Sequence, residues 1–350
     1  MSEGESISSS SESTGKVTVH QVAALAEVSV ATVSRVLNNP SGVSPELAGR
    51  VQAAVQQLGY RPNRAARNLR AGRTFTRVGF LVSNIQNPFF TDILKGVEQT
   101  LIPGQVAVLV GNSNNDLKYE ELNIAILLEE QISGLLVQFV SSRLKNYLAL
   151  QRSGVPIVCF DHAPDGMALD SVVTDNFEAM AAATRHLLAL GHRKFAFVGG
   201  PPDHFTARER RRGFTETLAE AGLGADAYAI ENGEWQLDGF YRAAQRLLAR
   251  IEPPVALLTV NNDATTAALK AIRERGWRIP ADVAFVGFDE MPWTDAYNPA
   301  LTIVDQHPYH IGAVAAELLM ARIRNPDRPI QQVKLQCELV VRQSCGAPPL

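Results

Sequence analysis

Short apolar runs alternate with helical stretches through most of this chain, and that alternation constrains its fold more than any other feature. The runs are Val78–Val82, Val106–Val110, Leu135–Phe139, Ile157–Phe160, Phe195–Val198, Ala256–Val260 and Val283–Phe288. Strands that alternate with helices form parallel sheets wound with helices on both faces. Since about 270 residues exceed what one such sheet holds, the sequence predicts an α/β body of two lobes. The natural ligand site is a cleft beyond the carboxyl ends of the strands.

The segment before this body has a different pattern, that of three short helices. A capping box over Thr18–Gln21 predicts the start of a first helix, which has Leu25 on its apolar side. Ser29 can cap a second helix over about Val30–Leu37, and Ser44–Gly59 has the cap, proline and glycine that bound a third. Two short helices joined by a tight turn and braced by a third predict an all-α helix-turn-helix head.

This head segment is also basic. From Lys16 to Arg77 there are nine Lys and Arg residues against two Glu, a net charge of +7. Because the whole chain carries −3 and three glutamates precede Lys16, the remainder from Val78 onward carries −7. A basic module on an acidic body is typical of a nucleic-acid-binding head. The first fifteen residues, of which seven are serine, are predicted to be a disordered tail.

Several classes of protein are excluded by what the sequence lacks. It has no apolar window long enough for a membrane-spanning helix and no signal-peptide pattern, so we expect a cytoplasmic protein. Its cysteines, Cys159, Cys337 and Cys345, are odd in number and have no metal-ligand spacing. It also lacks the nucleophile-elbow, phosphate-loop, dinucleotide and zinc-protease motifs. We therefore expect neither catalytic activity nor a metal or cofactor.

Six motifs, in a fixed order and spacing, connect the chain to a known family. They are VSVATVSRVLN (Val28–Asn38), LGYRPNRAARNLRAGRT (Leu58–Thr74), NPFF (Asn87–Phe90), LGHRKFAFVGGP (Leu190–Pro201), TARERRRGF (Thr206–Phe214) and VGFDEMPW (Val286–Trp293). On these motifs the chain, from Val17 to Arg342, resembles the lactose/galactose-repressor (LacI/GalR) family of bacterial transcription regulators. The resemblance implies a homodimer that binds a palindromic operator and a two-lobed body like that of periplasmic sugar-binding proteins.

The resemblance also implies a division of the chain. The expected parts are a tail 1–15, a helix-turn-helix head 16–61, a hinge helix 62–76 and an effector-binding and dimerisation body 77–345, with an N-lobe of 77–174 and 306–330 and a C-lobe of 175–305 and 331–345.

One position departs from the family pattern. Glu27 stands in the turn where the family usually has glycine. If this turn requires a positive φ, a residue with a Cβ costs about 1 kcal/mol there. It also places a negative charge close to the surface that would face DNA.

Residues for DNA contact are carried over from the family to the second helix, its flanks and the hinge. The candidates are Thr18, Ser29, Val30, Ala31, Thr32, Ser34, Arg35, Asn38, Tyr60, Asn63, Arg64, Arg67 and Leu69. Arg35 has the chemistry for a bidentate contact with guanine, whereas Val30 and Ala31 can offer only apolar contact. Leu69 matches the family's leucine that wedges into the minor groove, and wedges of this kind bend the duplex.

A second set of residues matches the family's effector site. The candidates are Phe89, Phe90, Gln138, Asp161, Arg210, Trp235, Asn262 with its neighbour Asp263, and Asp289. Aromatic faces pack against the C–H surface of a sugar ring, while Arg donates to and Asp accepts from neighbouring hydroxyls.

The set suits pentoses, hexoses, inositols and nucleosides alike, and it leaves a phosphorylated ligand open because further arginines neighbour Arg210. Whether the effector releases or tightens DNA binding also stays open. Two alternatives remain within the same family: a global carbon-catabolite regulator with a protein corepressor, and a nucleoside- or purine-responsive repressor.

Overall fold

The computed structural model describes residues 18–38, 43–58, 76–140, 150, 154–162 and 168–346. The chain divides into two compact units, Met1–Phe75 and Thr76–Leu350. We call them the head unit and the body. The predicted tail and the predicted hinge, apart from its last residue, lie outside the described residues.

Three helices form the described part of the head unit: α1 (Val19–Leu25), α2 (Val30–Asn38) and α3 (Pro45–Leu58). The predicted capping box is present, since the Thr18 side chain accepts from the Gln21 amide and the Gln21 side chain accepts from the Thr18 amide. Ser29 Oγ accepts from the Thr32 amide at 3.1 Å, so it caps α2 as predicted. The prediction that Leu25 lies on the apolar side of α1 was wrong, because this residue is 43% exposed. Ala26, the next residue, is buried instead.

The N-lobe of the body is a parallel six-stranded sheet in the order β11-β5-β4-β3-β1-β2. Its strands are β1 (Arg77–Val82), β2 (Ala107–Asn112), β3 (Gly134–Val137), β4 (Ile157–Asp161), β5 (Asp170–Thr174) and β11 (Gln332–Leu335). Its described helices are α4 (Pro88–Leu101), α5 (Leu117–Glu129) and α10 (Pro308–Arg324). One apolar cluster packs the sheet against α4 and α10, and another packs it against α5.

The C-lobe repeats this arrangement in the order β12-β10-β9-β8-β6-β7. Its strands are β6 (Phe195–Gly199), β7 (Tyr228–Asn232), β8 (Val255–Thr259), β9 (Val283–Phe288), β10 (Thr302–Asp305) and β12 (Glu338–Val340). Its helices are α6 (Asn176–Ala189), α7 (Phe205–Glu220), α8 (Leu237–Leu248) and α9 (Asn262–Glu274). All described strand pairs of the C-lobe are parallel except β10–β12, which is antiparallel.

The chain passes between the lobes three times, and the last passage lies later than predicted. Strand β11 pairs with β5, so residues 332–335 belong to the N-lobe and the predicted boundary at 330/331 is wrong. The physical reason is Asp170, a buried carboxylate that accepts from Arg322 at 2.8 and 3.1 Å and from the Gln331 amide at 2.7 Å. These bonds hold the segment before β11 beside β5. We call 174–176, 305–308 and 335–338 the three crossings.

In the N-lobe, helices α4 and α10 pack with their backbones almost in contact. A Cβ added at Gly96 would lie 2.0 Å from the Tyr309 carbonyl oxygen, and one added at Gly312 would lie 1.9 Å from the Ile93 carbonyl oxygen. The C-lobe helices α6 and α7 repeat this contact: a Cβ added at Gly213 would lie 2.3 Å from the Phe177 carbonyl oxygen. Only glycine fits at these places, because no side chain can share the space with a backbone carbonyl.

In the part of the chain that the structure describes, no helix is long and apolar enough to cross a bilayer.

We expect Gly96→Ala to destabilise the body by about 1–3 kcal/mol or more, since the added methyl group overpacks a backbone contact that cannot relax. The measurement is the midpoint of urea unfolding followed by far-ultraviolet circular dichroism, because all three tryptophans lie in the C-lobe and Gly96 lies in the N-lobe. Gly104→Ala is the matched control, because the nearest atom to its Cβ would be 3.6 Å away. Equal midpoints for the two variants would contradict the close packing of α4 on α10.

Candidate functional site

The second helix of the head unit presents a distinct outer face. Ala31 and Arg35, one turn apart, are exposed, while Val33 and Val36 are buried in the head core. Arg35 therefore has its guanidinium available to a partner. Ser34 and Asn38 lie on the same helix.

The remaining DNA-contact candidates fall into three groups. Thr18 and Ser29 are exposed at the starts of α1 and α2, and their hydroxyls already serve as helix caps. Val30 and Thr32 are half-buried in the first turn of α2. The candidates of the hinge region lie outside the described residues: Tyr60, Asn63, Arg64, Arg67 and Leu69.

The turn between α1 and α2 has the left-handed conformation that the glycine pattern suggests. Glu27 has φ 51°, so its Cβ is strained relative to glycine. Arg50 on α3 compensates by donating to the Ala26 carbonyl at 2.6 Å, to the Glu27 carbonyl at 3.3 Å and to the Glu27 carboxylate at 3.1 Å. The charge that Glu27 adds is thus paired within the head unit.

A cleft opens between the lobes of the body at the carboxyl ends of the parallel strands. It encloses about 580 Å³, including its mouth, which lies within the usual range of small-ligand sites. Its lining residues are Ser83, Asn84, Asn87, Phe89, Phe90, Asn115, Gln138, Asp161, His204, Thr206, Arg210, Trp235, Asn261, Asp263, Asp289 and Gln306. The structure therefore brings Phe89, Phe90, Gln138, Asp161, Arg210, Trp235, Asp263 and Asp289 together, as the sequence predicted, and leaves Asn262 beside the cleft.

Arg210 forms the floor of the cleft. Its side chain is 3% exposed and donates to the Asn176 side chain at 2.7 Å, to the Val260 carbonyl at 2.6 Å and to Gln306 at 3.0 Å. The guanidinium also stacks on the Phe288 ring, 3.8 Å from its centroid. Burial lowers the pKa of Arg210, while the nearby carboxylates of Asp289 and Asp161 act in the opposite direction.

Asp289 is the acceptor of this floor. One carboxylate oxygen accepts from Gln306 Nε2 at 2.6 Å, and the other accepts from the backbone amide of Asn262 at 3.1 Å. Burial raises the pKa of Asp289 to about 6, although Arg210 and these two hydrogen bonds oppose the shift. The carboxylate is therefore ionised at neutral pH and becomes protonated as the pH falls below about 6.

The floor coincides with the three crossings between the lobes. Gln306, in the second crossing, accepts from Thr174 of the first crossing at 2.7 Å. Cys337, in the third crossing, lies near Thr174 and Arg210, and burial raises the pKa of its thiol to about 11. Groups that a ligand would contact are thus joined directly to the segments about which the lobes can move.

The two lobes contribute equivalent carboxylates. Asp161 ends β4 and Asp289 follows β9, the strand in the corresponding place of the other sheet. Both residues have left-handed backbone, with φ 68° and 69°. Asp161 has His162 Nδ1 at 3.3 Å.

The prediction that Asn262 lines the effector cleft is not met in this structure. Its amide and that of Asn87 exchange two hydrogen bonds, at 3.0 and 2.7 Å, across the gap between the lobes. Asn87 also caps α4 by accepting from the Phe89 amide. Asn262 therefore fastens the C-lobe to the start of an N-lobe helix.

Aromatic side chains form part of each wall. Phe89 and Phe90 meet edge to face with centroids 5.2 Å apart, and His204 meets Trp235 in the same way at 5.2 Å. Burial lowers the pKa of His204, which keeps its ring neutral at neutral pH. Trp235 Nε1 is a buried donor with no acceptor among the described residues, so the wall offers a ligand one unused N–H.

Sequence reasoning missed eight of the lining residues: Ser83, Asn84, Asn87, Asn115, His204, Thr206, Asn261 and Gln306. Most of them follow the carboxyl end of a strand, the position at which open α/β sheets bind ligands. Applying this rule to every predicted strand end would have found most of them. Gln306 could not be found in this way, because the strand that precedes it, β10, was not predicted.

Among the described residues, no three His, Cys, Asp or Glu side chains lie together in a way that could hold a metal ion.

Comparison with known proteins gives consistent relatives for both units. The model of bacterial regulatory proteins of the lacI family matches residues 18–63, and that of a periplasmic binding protein-like domain matches residues 184–345. The HTH-type transcriptional repressor PurR of Aliivibrio salmonicida (strain LFI1238) is 32% identical over 330 residues, which are 93% of this chain and 98% of that protein.

Two solved structures cover nearly the whole chain. The lac repressor dimer bound to operator and the anti-inducer ONPF matches with a TM-score of 0.80 and 26% identity, over 95% of this chain and 100% of that one. The complex of the transcriptional regulator CelR with cellobiose matches with a TM-score of 0.70 and 31% identity, over 94% and 99%.

We expect Arg210→Ala to destabilise the body by about 3–5 kcal/mol, because it leaves Asp289 buried without its cation and removes one donor from each of three buried acceptors. Arg211→Ala, which truncates the exposed neighbour, should change stability by less than about 0.5 kcal/mol. Urea unfolding of both variants is the measurement. Comparable losses in the two would contradict the role of Arg210 as the centre of the floor.

Proposed function

The chain belongs to the lacI family of bacterial regulatory proteins, and from this we propose that it is a transcriptional repressor whose affinity for a palindromic operator is set by a small polar ligand in the cleft. It acts as a homodimer, as does the lac repressor that is bound to operator in its solved complex. Its place is the cytoplasm, where bacterial DNA lies, and no catalytic step is part of the proposal.

The observation that carries the proposal is the contact between the cleft floor and the crossings. A ligand can shift an equilibrium between two lobe arrangements only if it binds one of them better than the other. A ligand hydroxyl that donates to Asp289 would alter a carboxylate that is hydrogen-bonded to Gln306 of the second crossing. Gln306 in turn accepts a hydrogen bond from Thr174 of the first crossing, so the ligand acts on both segments. In a dimer, a change in lobe arrangement alters the spacing of the two DNA-binding halves, which is how closure controls operator affinity.

Support for a sugar-like ligand comes from the chemistry of the walls. Aromatic edges and faces, several amides and three carboxylates line the cleft, as a ring bearing many hydroxyls requires. CelR, of similar structure, is known in complex with cellobiose. We therefore propose that the chain controls genes of carbohydrate or related metabolism. A purine-type effector is the second candidate, because PurR repressors are among its relatives.

We propose that DNA is read by the exposed face of α2, with Arg35 as its main base contact. Arg35→Ala should reduce the preference for operator over scrambled duplex by about 10- to 100-fold, the value of one bidentate contact. Fluorescence anisotropy on a labelled duplex from the upstream region of the gene is the measurement, with Arg211→Ala as the matched loss of charge on the body. Unchanged preference in Arg35→Ala would contradict this reading of the head.

The same assay identifies the effector when it is repeated with sugars, polyols, nucleosides and purine bases. Release or tightening by one compound would support the proposal and give the sign of the response. Specific operator binding that ignores every compound would favour the protein-corepressor alternative.

Ligand affinity should depend on pH through Asp289. Because its pKa is about 6, the carboxylate loses its charge below that pH, and affinity should fall about tenfold for each further pH unit. Above pH 7 the affinity should be constant. Titration calorimetry between pH 5 and 8 tests this, with Asp289→Asn expected to bind weakly at every pH. A wild-type affinity that stays constant down to pH 5 would contradict the role of the ionised carboxylate.

A further inference from the structure

The cleft is richer in negative than in positive charge. Asp161, Asp263 and Asp289 line it, and Arg210 is the one Lys or Arg among the described lining residues. His204 adds no charge at neutral pH because burial lowers its pKa. An anionic ligand would therefore enter a site in which carboxylates outnumber cations.

Arg210 is also poorly placed to bind an anion. Phosphate recognition by arginine uses two parallel N–H donors of a free guanidinium edge. Here three of its five N–H groups, one each on Nε, Nη1 and Nη2, already donate to protein acceptors, and the ring of Phe288 covers one face. The charge of Arg210 is balanced within the protein by Asp289.

The other arginines of the motif around Arg210 do not supply a second cation. Arg208 lies over the Phe205 ring, and Arg212 donates to Glu209 and Glu216. Arg211 is exposed. None of these arginines lines the cleft, so the possibility of a phosphorylated ligand, which rested on them, loses its basis.

The unused groups of the cleft match an uncharged ligand. The Asp263 carboxylate, in the first turn of α9, receives no hydrogen bond from any side chain or amide that the structure describes, and burial raises its pKa. Trp235 Nε1 is the buried donor that lacks an acceptor in the described part of the chain. A hydroxyl group can donate to the first and accept from the second, whereas a phosphate oxygen can only accept.

We infer that the effector is an uncharged polyhydroxyl compound, namely a free sugar, polyol or nucleoside, and that the cleft rejects the phosphate ester of the same compound. Asp263 is the residue that sets this selectivity, because no described group of the protein donates a hydrogen bond to its carboxylate. The inference rests on the ligand-controlled function proposed above and specifies the chemical class of its ligand.

Matched pairs of compounds test the inference on the full-length protein. Thermal shift and calorimetry would compare ribose with ribose 5-phosphate, glucose with glucose 6-phosphate, and adenosine with its 5′-monophosphate. Within the pair that binds, the ester should bind at least about 100-fold more weakly, since like charges are brought together on binding. Asp263→Asn should narrow this gap by about tenfold, while Asp226→Asn, at an exposed carboxylate of the same lobe, should leave it unchanged.

The outcomes separate this inference from the function it rests on. Tighter binding of an ester than of its parent compound would overturn the inference and leave ligand control intact. The N-terminus of α7, where Thr206 lines the cleft, is the feature that would favour that result. Normal operator binding that no sugar, polyol, nucleoside or purine base of the wider panel alters would overturn ligand control and the inference together. If the ratio of the affinities for the parent compound and its ester is the same in Asp263→Asn as in Asp226→Asn, Asp263 does not cause the selectivity.

Discussion

A guanidinium buried in a protein must find all its partners in the protein, and the body of this chain is arranged around that requirement. Arg210 reaches from α7 to the start of α6, to the end of β8 and to the crossing after β10. Each partner belongs to a separate stretch of the chain, so the arginine fixes the relative positions of several strand ends at once. Without them the cost of removing its charge from water would exceed what the surrounding apolar core can offset. The cleft between the lobes lies above this arginine, where these strand ends are held apart at a fixed spacing.

Much of the fold could be predicted from the sequence, but only where burial and sequence pattern agree. Strands such as β4 and β9 are buried on both faces and appear as continuous apolar runs. Two of the strands that escaped prediction carry polar residues: β5 begins with Asp170, which binds Arg322, and β11 exposes Gln332 and Lys334 at a sheet edge. Their assignment depends on contacts with residues more than 150 positions away, which no local pattern contains.

In the candidate site, too, some residues could be predicted from motifs and others could not. Single residues with a distinct chemistry, such as Arg210, Asp289 and Trp235, could be placed in the cleft from motifs carried over from a family. The connection of the floor to the crossings through Gln306 and Thr174 could not, because glutamine and threonine at strand ends have no diagnostic pattern. Asn262 shows what a motif cannot reveal: its position in the sequence matches a ligand-contacting residue, and in this structure its side-chain amide is bonded to Asn87 in the other lobe, so its contact with a ligand stays a prediction.

The backbone contact between α4 and α10 has a mechanical consequence. The first turn of α4 carries Phe89 and Phe90 at the cleft, and α10 begins two residues after Gln306. Since Gly96 and Gly312 leave no compressible side chain between the two helices, they can neither slide past nor approach each other without breaking the contact. The pair therefore behaves as one stiff lever, with one end at the cleft wall and the other at a crossing. A displacement of the aromatic pair is passed to the second crossing by rigid packing, in parallel with the hydrogen bonds that lead from the Phe89 amide through Asn87, Asn262 and Asp289 to Gln306.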